Sequence, residues 1–167
     1  MKKITLLATL TFCFVTVLNS TTFAQKAAPV SIQPKAVELY WLDLSPAGIN
    51  AVIQVPVTVK IIEDKYDVII GDGKDFFIEI APTSQTFAEI KSFVEKNDIR
   101  GFVKFIKQET NGFVAEMKAF GKTEYDFSFV ATVGDENYLI KDPGKYHHPN
   151  IAIVSAMYNY AKTIKAK

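Results

Sequence analysis

Two adjoining stretches of the chain alternate apolar and polar positions. In the first, Phe113, Ala115, Met117 and Ala119 alternate with Val114, Glu116 and Lys118. In the second, Tyr125, Phe127, Phe129, Ala131 and Val133 alternate with Asp126, Ser128, Val130 and Thr132. Successive side chains of a strand point to opposite faces, so each run lays an apolar row on one side. Aromatic and β-branched residues suit such a half-buried pleated surface. Asn111-Gly112 offers the positive φ of a two-residue hairpin turn, and Gly121-Lys122 offers a second. Gly134-Asp135-Glu136-Asn137 is a polar loop before Tyr138-Leu139-Ile140. Turns this short join antiparallel neighbours. Residues 102–142 are thus predicted to form a four-stranded meander whose apolar side needs a cover.

Upstream, residues 37–44 read as a strand containing Tyr40 and Trp41, followed by a turn at Ser45-Pro46-Ala47-Gly48. Ile49, Ala51, Ile53 and Val55 form the next row. Pro56, which has no N–H for a ladder, ends or bulges it, and residues 57–62 continue it. Tyr66, Val68 and Ile70 then pair across Gly71-Asp72-Gly73-Lys74 with Phe76, Ile78 and Ile80, because an Asp-Gly turn between alternating runs is a hairpin signal.

Helical spacing occurs twice. Thr86 and Glu89 stand in capping-box register before Phe87, Ile90, Phe93 and Val94, which predicts a helix over residues 87–97. Pro149 suits the first turn of a second helix over residues 150–165. Its apolar stripe holds Ile151, Val154, Tyr158 and Ala161, with Lys162, Lys165 and Lys167 at the C-terminal end. The expected fold is α+β: an antiparallel sheet of about six or seven strands with both helices packed on it.

The N-terminal 24 residues have a different pattern. Lys2 and Lys3 precede an uncharged apolar run over residues 4–18, and Thr22-Phe23-Ala24 resembles a cleavage site. The run is shorter than the roughly 20 residues of a membrane span. A secretory signal peptide over residues 1–24 is expected, then a spacer over 25–35 containing Pro29 and Pro34, then one domain over 36–167. The protein is therefore expected to be exported, to the periplasm or outside the cell, with no stable membrane span after cleavage. Cys13 is the only cysteine and lies in the signal, so the mature domain would have no disulfide and no thiol nucleophile. The balance of 19 Lys and Arg against 18 Asp and Glu argues against a nucleic-acid partner, whose affinity comes mainly from phosphate neutralisation.

Candidate chemistry gathers in one loop. Asp142, His147 and His148 are candidate metal ligands, and Tyr138, Tyr146, His147 and His148 are candidate ligand-binding residues. Tyr40 and Trp41 are candidate interaction anchors, since both types are enriched at binding hot spots. Asp64, Asp67, Asp72 and Asp75 lack the spacing and closing Glu of an EF-hand loop, and the hairpin turn accounts for Asp72-Gly73. Gly71-Asp72-Gly73 joins strand to strand, whereas phosphate-binding loops open a helix. No Gly-x-Ser-x-Gly elbow occurs. Asp135-Glu136 falls in a turn, where solvation explains it. No catalytic set and no cofactor are expected.

The order of strands, hairpin, helix, antiparallel meander and closing helix over residues 49–164 resembles the PsbP-like fold. That fold is shared by the extrinsic photosystem II protein, a Ran-binding nuclear import factor and DcrB-type bacterial envelope lipoproteins. The early row from Ile49 to Val55 closing on Pro56 looks like that family's opening; where the family often continues with Gly-Trp, this chain has Val57-Thr58-Val59. The resemblance implies a non-enzymatic accessory or protein-interaction module with an envelope protein as partner. A small-ligand or metal-binding protein using the loop before the second helix is the alternative expectation, and a hydrolase the next.

Overall fold

The computed structural model describes residues 37–63, 67–146 and 148–167. Residues 1–36, on which the signal-peptide and spacer expectations fall, lie outside it, as do residues 64–66 and His147. In chain order the elements are β1 (Leu39–Asp43), β2 (Ala51–Pro56), β3 (Lys60–Glu63), β4 (Val68–Gly71), β5 (Phe77–Pro82), α1 (Phe87–Glu95), β6 (Gly101–Gln108), β7 (Gly112–Ala119), β8 (Lys122–Val133), β9 (Glu136–Lys141), α2 (Ile151–Ala161) and β10 (Lys165–Ala166). Seven strands form one antiparallel sheet in the order β3-β4-β5-β9-β8-β7-β6, and β1-β2-β10 form a smaller one. The expected α+β class and the meander β6–β9 are present.

Several local expectations resolve differently. Residues 57–62 do not prolong β2. The amide of Val59 turns back to donate to the Pro56 carbonyl at 2.9 Å, and the chain then enters the large sheet as β3. The second helix stops at Ala161, and Lys165 and Ala166 instead pair with Val52 and Ala51. Asn150 rather than Pro149 opens that helix, its side chain accepting from the Ala152 amide at 2.9 Å. The capping box of α1 forms as expected between Thr86 and Glu89. Asp72 orders its loop by accepting from the amides of Lys74, Asp75 and Phe76.

The two glycine turns of the meander work for different reasons. Between β7 and β8 the left-handed residues are Phe120 (φ 50°) and Gly121 (φ 80°), the pair a tight hairpin requires. Gly112, by contrast, has no positive φ. A Cβ there would lie 2.7 Å from the Tyr158 hydroxyl and 2.9 Å from the Phe129 ring, so the position is reserved for a hydrogen by packing.

Register decides which side each row faces. Val114 pairs with Phe127 and Phe113 with Ser128, so the apolar rows of β7 and β8 go to opposite faces. On one face Val114, Phe127, Ala131, Tyr138 and Ile140 join Ile70, Ile78 and Ile80 beneath Val154, Met157, Tyr158 and Ala161 of α2, which also packs on Ile53 and Val55 of the small sheet. On the other face Phe113, Ala115 and Met117 meet Ile90 of α1, with Phe102 and Phe105 beside them. The polar row of β8 therefore lies on a covered face, beside α1.

Gly112→Ala is expected to destabilise the fold by about 1–3 kcal/mol, because the Tyr158 and Phe129 rings must shift to admit a methyl group. Urea denaturation of the two proteins measures this. An unchanged midpoint would mean that the Gly112–Tyr158 contact is not tight.

Candidate functional site: a charged cleft beside the first helix

The chain leaves α1 through a side-chain-capped turn. Asn97 Oδ1 accepts from the amides of Ile99 and Arg100 at 3.0 and 2.9 Å, which fixes the direction of Arg100 at the start of β6. Its guanidinium reaches across the sheet to two neighbours in the polar row of β8. Nη1 and Nη2 engage Asp126 at 2.7 and 2.8 Å, and Nη2 also donates to Glu124 at 3.0 Å. The Arg100 side chain is 19% exposed, Asp126 18% and Glu124 6%, so the triad is mostly withdrawn from water. Burial opposes the charge on Arg100, but the Asp126 and Glu124 carboxylates outweigh it and hold the guanidinium protonated. Burial likewise raises Asp126, and Arg100 only partly offsets that.

A second pair continues the polar track. Lys141 on β9 binds its cross-strand neighbour Glu79 at 2.9 Å. Just past β9, the Asp142 amide donates to the Phe127 carbonyl at 3.2 Å, and Asp142 Oδ1 accepts from the Gly144 amide at 2.7 Å. Its other oxygen, Oδ2, lies 3.2 Å from Nε2 of buried His148. Among the described residues neither atom has a hydrogen-bond partner. Burial pushes Asp142 up to about 7; Asp126 and Glu79 add to the rise, while the Gly144 amide and Arg100 oppose it. Burial also lowers His148, against the attraction of Asp126, Asp75 and Glu124. Burial is the largest cause of both shifts, and it acts in favour of the neutral form of each side chain.

Between α1, this polar track and the chain after β9 lies a cleft of about 280 Å³. Ile90, Phe93, Val94, Met117 and Leu139 supply its apolar walls, and Arg100, Asp126, Ser128, Lys141 and Asp142 its polar end. Pro143 and Gly144 close one side. A broader hollow of about 630 Å³ on the outer side of α1 is lined by Glu89, Ser92, Phe93, Lys96 and Ile99. It lies open to water and brings no convergent buried groups together.

The residues singled out from the sequence disperse. Asp142 and His148 meet, as described, while His147 lies outside the described residues. Tyr146 stacks on Phe77, ring centroids 3.7 Å apart. Tyr138 points to the α2 side of the sheet, where it is buried and bonded to Glu136, whose carboxylate pushes its hydroxyl up to about 12 together with burial. Tyr40 donates to the Val59 carbonyl at 2.7 Å, and half-exposed Trp41 has the Lys165 ammonium 4.0 Å from its ring centre. Among the described residues no group of three or more His, Cys, Asp or Glu side chains is placed to hold a metal ion. No helix of the described residues is long and apolar enough to cross a membrane.

Arg100, Glu124, Asp126 and Ser128 were not among the sequence candidates. A signal existed: Arg100 is the only arginine in the chain. Where every other fixed cation is lysine, a planar five-donor fork marks a site that needs two carboxylates held at once. The chain matches no model of a known protein family and no curated protein.

Arg100→Met is expected to cost about 3 kcal/mol near pH 7, because largely buried Asp126 loses the fork that engages both its oxygens and Glu124 loses one of its contacts. The loss should shrink as pH falls and Asp126, already raised by burial, takes up a proton. Arg100→Lys should recover only part of it, since one ammonium cannot span both acids. Thermal melts at pH 7 and pH 4 check the sign; a loss that is equal at both values contradicts the pairing.

Proposed function

We propose that this protein is an exported, non-catalytic binding module of the bacterial cell envelope, and that its cleft beside α1 takes a small ligand with an apolar body and a polar end. The carrying observation is the cleft itself, with Ile90, Val94, Met117 and Leu139 on its walls and Arg100, Asp126, Ser128 and Lys141 converging at one end. Apolar walls with a few converging polar groups are the usual make-up of a ligand site, and about 280 Å³ lies at the small end of the range. The basic start, apolar run and small-residue site in the first 24 residues support export. The PsbP-like order of elements supports an accessory rather than a catalytic role.

A protein partner is the second reading. It is favoured by Phe93, 68% exposed, and Ile99, 82% exposed, on the outer side of α1.

Fragment screening by amide NMR tests the ligand reading. Amphipathic fragments should shift Val94, Met117, Ser128 and Leu139 together, and Val94→Trp, which fills the cleft, should abolish those shifts while the fold persists. Shifts that survive Val94→Trp, or a broad screen that moves none of these amides, would overturn it. Expressed in a bacterium with its own N-terminus, the chain should be recovered outside the cytoplasm beginning at Gln25. Retention of Met1 in the cytoplasm would overturn the export reading.

A further inference from the structure

We propose that the end of the molecule formed by the tip of the β7–β8 hairpin and the turn after α1 docks on the surface of an anionic lipid bilayer, with Phe120 as the side chain that enters it.

Three observations carry this. The first is Phe120 itself. It sits at the hairpin tip in the left-handed region, φ 50°, where an aromatic side chain carries a steric cost that glycine or asparagine avoids. It is 90% exposed, so the fold gains no packing in return. The second is where apolar exposure concentrates. Phe120, Ile99 and Phe93 are the three most exposed large apolar side chains among the described residues. They come from separate stretches of the chain, yet they share one end of the sheet. Gly101 pairs with Lys118, so Ile99 and the hairpin tip both continue beyond that pair in the same direction. Phe93 stands in the last turn of α1 and lines the same outer hollow as Ile99.

The third is charge. Lys96, Lys118 and Lys122 flank these residues and are exposed. Among the described residues none of the three holds a carboxylate, whereas Lys91 and Lys104 each hold one. Of the acids nearby, Glu89 is engaged in the capping box with Thr86, and Glu124 binds Arg100. Asp98 then stands against three lysines, and positive charge is in excess.

Apolar side chains that project from separate elements among uncompensated lysines suit a lipid interface better than a protein one. A bilayer takes up a ring at headgroup depth without a shaped pocket. Lysine stems lie along the apolar boundary while their ammonium groups reach anionic headgroups. The core of a protein interface, by contrast, is depleted in lysine. A protein contact through Phe93 and Ile99 is therefore an outcome of the test, not part of the proposal. The lipid surface is independent of what the cleft binds.

Co-sedimentation of the full chain, as recovered from a bacterial host, with vesicles of phosphatidylcholine and phosphatidylglycerol in equal parts tests this against vesicles of phosphatidylcholine alone. The anionic vesicles should bind it more tightly, and added salt should weaken that binding. Lys118→Gln and Lys122→Gln should each lower it about fivefold. Phe120→Asn suits the left-handed turn and so keeps the fold, and it should lower binding about tenfold. Equal binding to both kinds of vesicle, binding to neither, or full binding by Phe120→Asn overturns the proposal. Should the variants fail to fold, the wild type decides. A lipid spin-labelled at its headgroup, in anionic bicelles, should broaden the amides of Ile99, Phe120 and Gly121 and spare that of Trp41; broadening that leaves Phe120 and Gly121 untouched overturns the proposal. A soluble protein that binds the wild type and not Phe120→Asn, without any vesicle binding, overturns the lipid assignment in favour of a protein partner.

Discussion

The single arginine holds two carboxylates on a sheet face that is largely withdrawn from water, and the layout of that face follows from it. Glu124 and Asp126 stand two residues apart on β8 and so project side by side. Unpaired, either would be costly to bury. A lysine supplies one point of charge, whereas the guanidinium supplies a planar fork that engages both. The Asn97 cap that turns the chain after α1 sets where that fork starts. Beside that helix the same face leaves the cleft, with Arg100 and Asp126 in its lining.

The two sides of the large sheet differ in kind. The α2 side is an apolar core in which Tyr158 is fully buried and spends its hydroxyl on Glu109, which also binds Lys107 and Lys162. The α1 side has an apolar half against Ile90 and a charged half running from Arg100 through Asp126 to Lys141 and Glu79. This asymmetry concentrates polar groups and cavity volume in one place while the other side carries the packing. It also places Asp142 and His148 where burial is the largest cause of the shift in each.

The local parts of the architecture were legible in the sequence because local chemistry dictates them. Thr86 and Glu89 cap the same helix turn that they encode, Asp72 satisfies amides two to four residues on, and the alternation of β7 and β8 marks both strands. What could not be read was set across long separations. The alternating rows of β7 and β8 look alike along the chain, and only the pairing of Val114 with Phe127 sends them to opposite faces. Gly112 looks like a turn glycine, yet Tyr158 far along the chain accounts for it. Lys165 and Ala166 look like a helix end until β2 offers them an edge. In the candidate site, Asp142 and His148 were noted as polar residues of one loop, whereas their meeting and burial depend on β8. The lone arginine was the one long-range feature with a signature in composition.

The central claim is that the α1 face buries Asp142 so thoroughly that desolvation governs its ionisation. The most direct measurement is the side-chain carboxyl 13C shift of Asp142 followed from pH 3 to pH 9. The account predicts a carboxyl that stays protonated through the acid range and titrates at about 7. A midpoint at the ordinary value of 3.8 would contradict it, since Asp142 would then be solvated or firmly ion-paired in the folded protein.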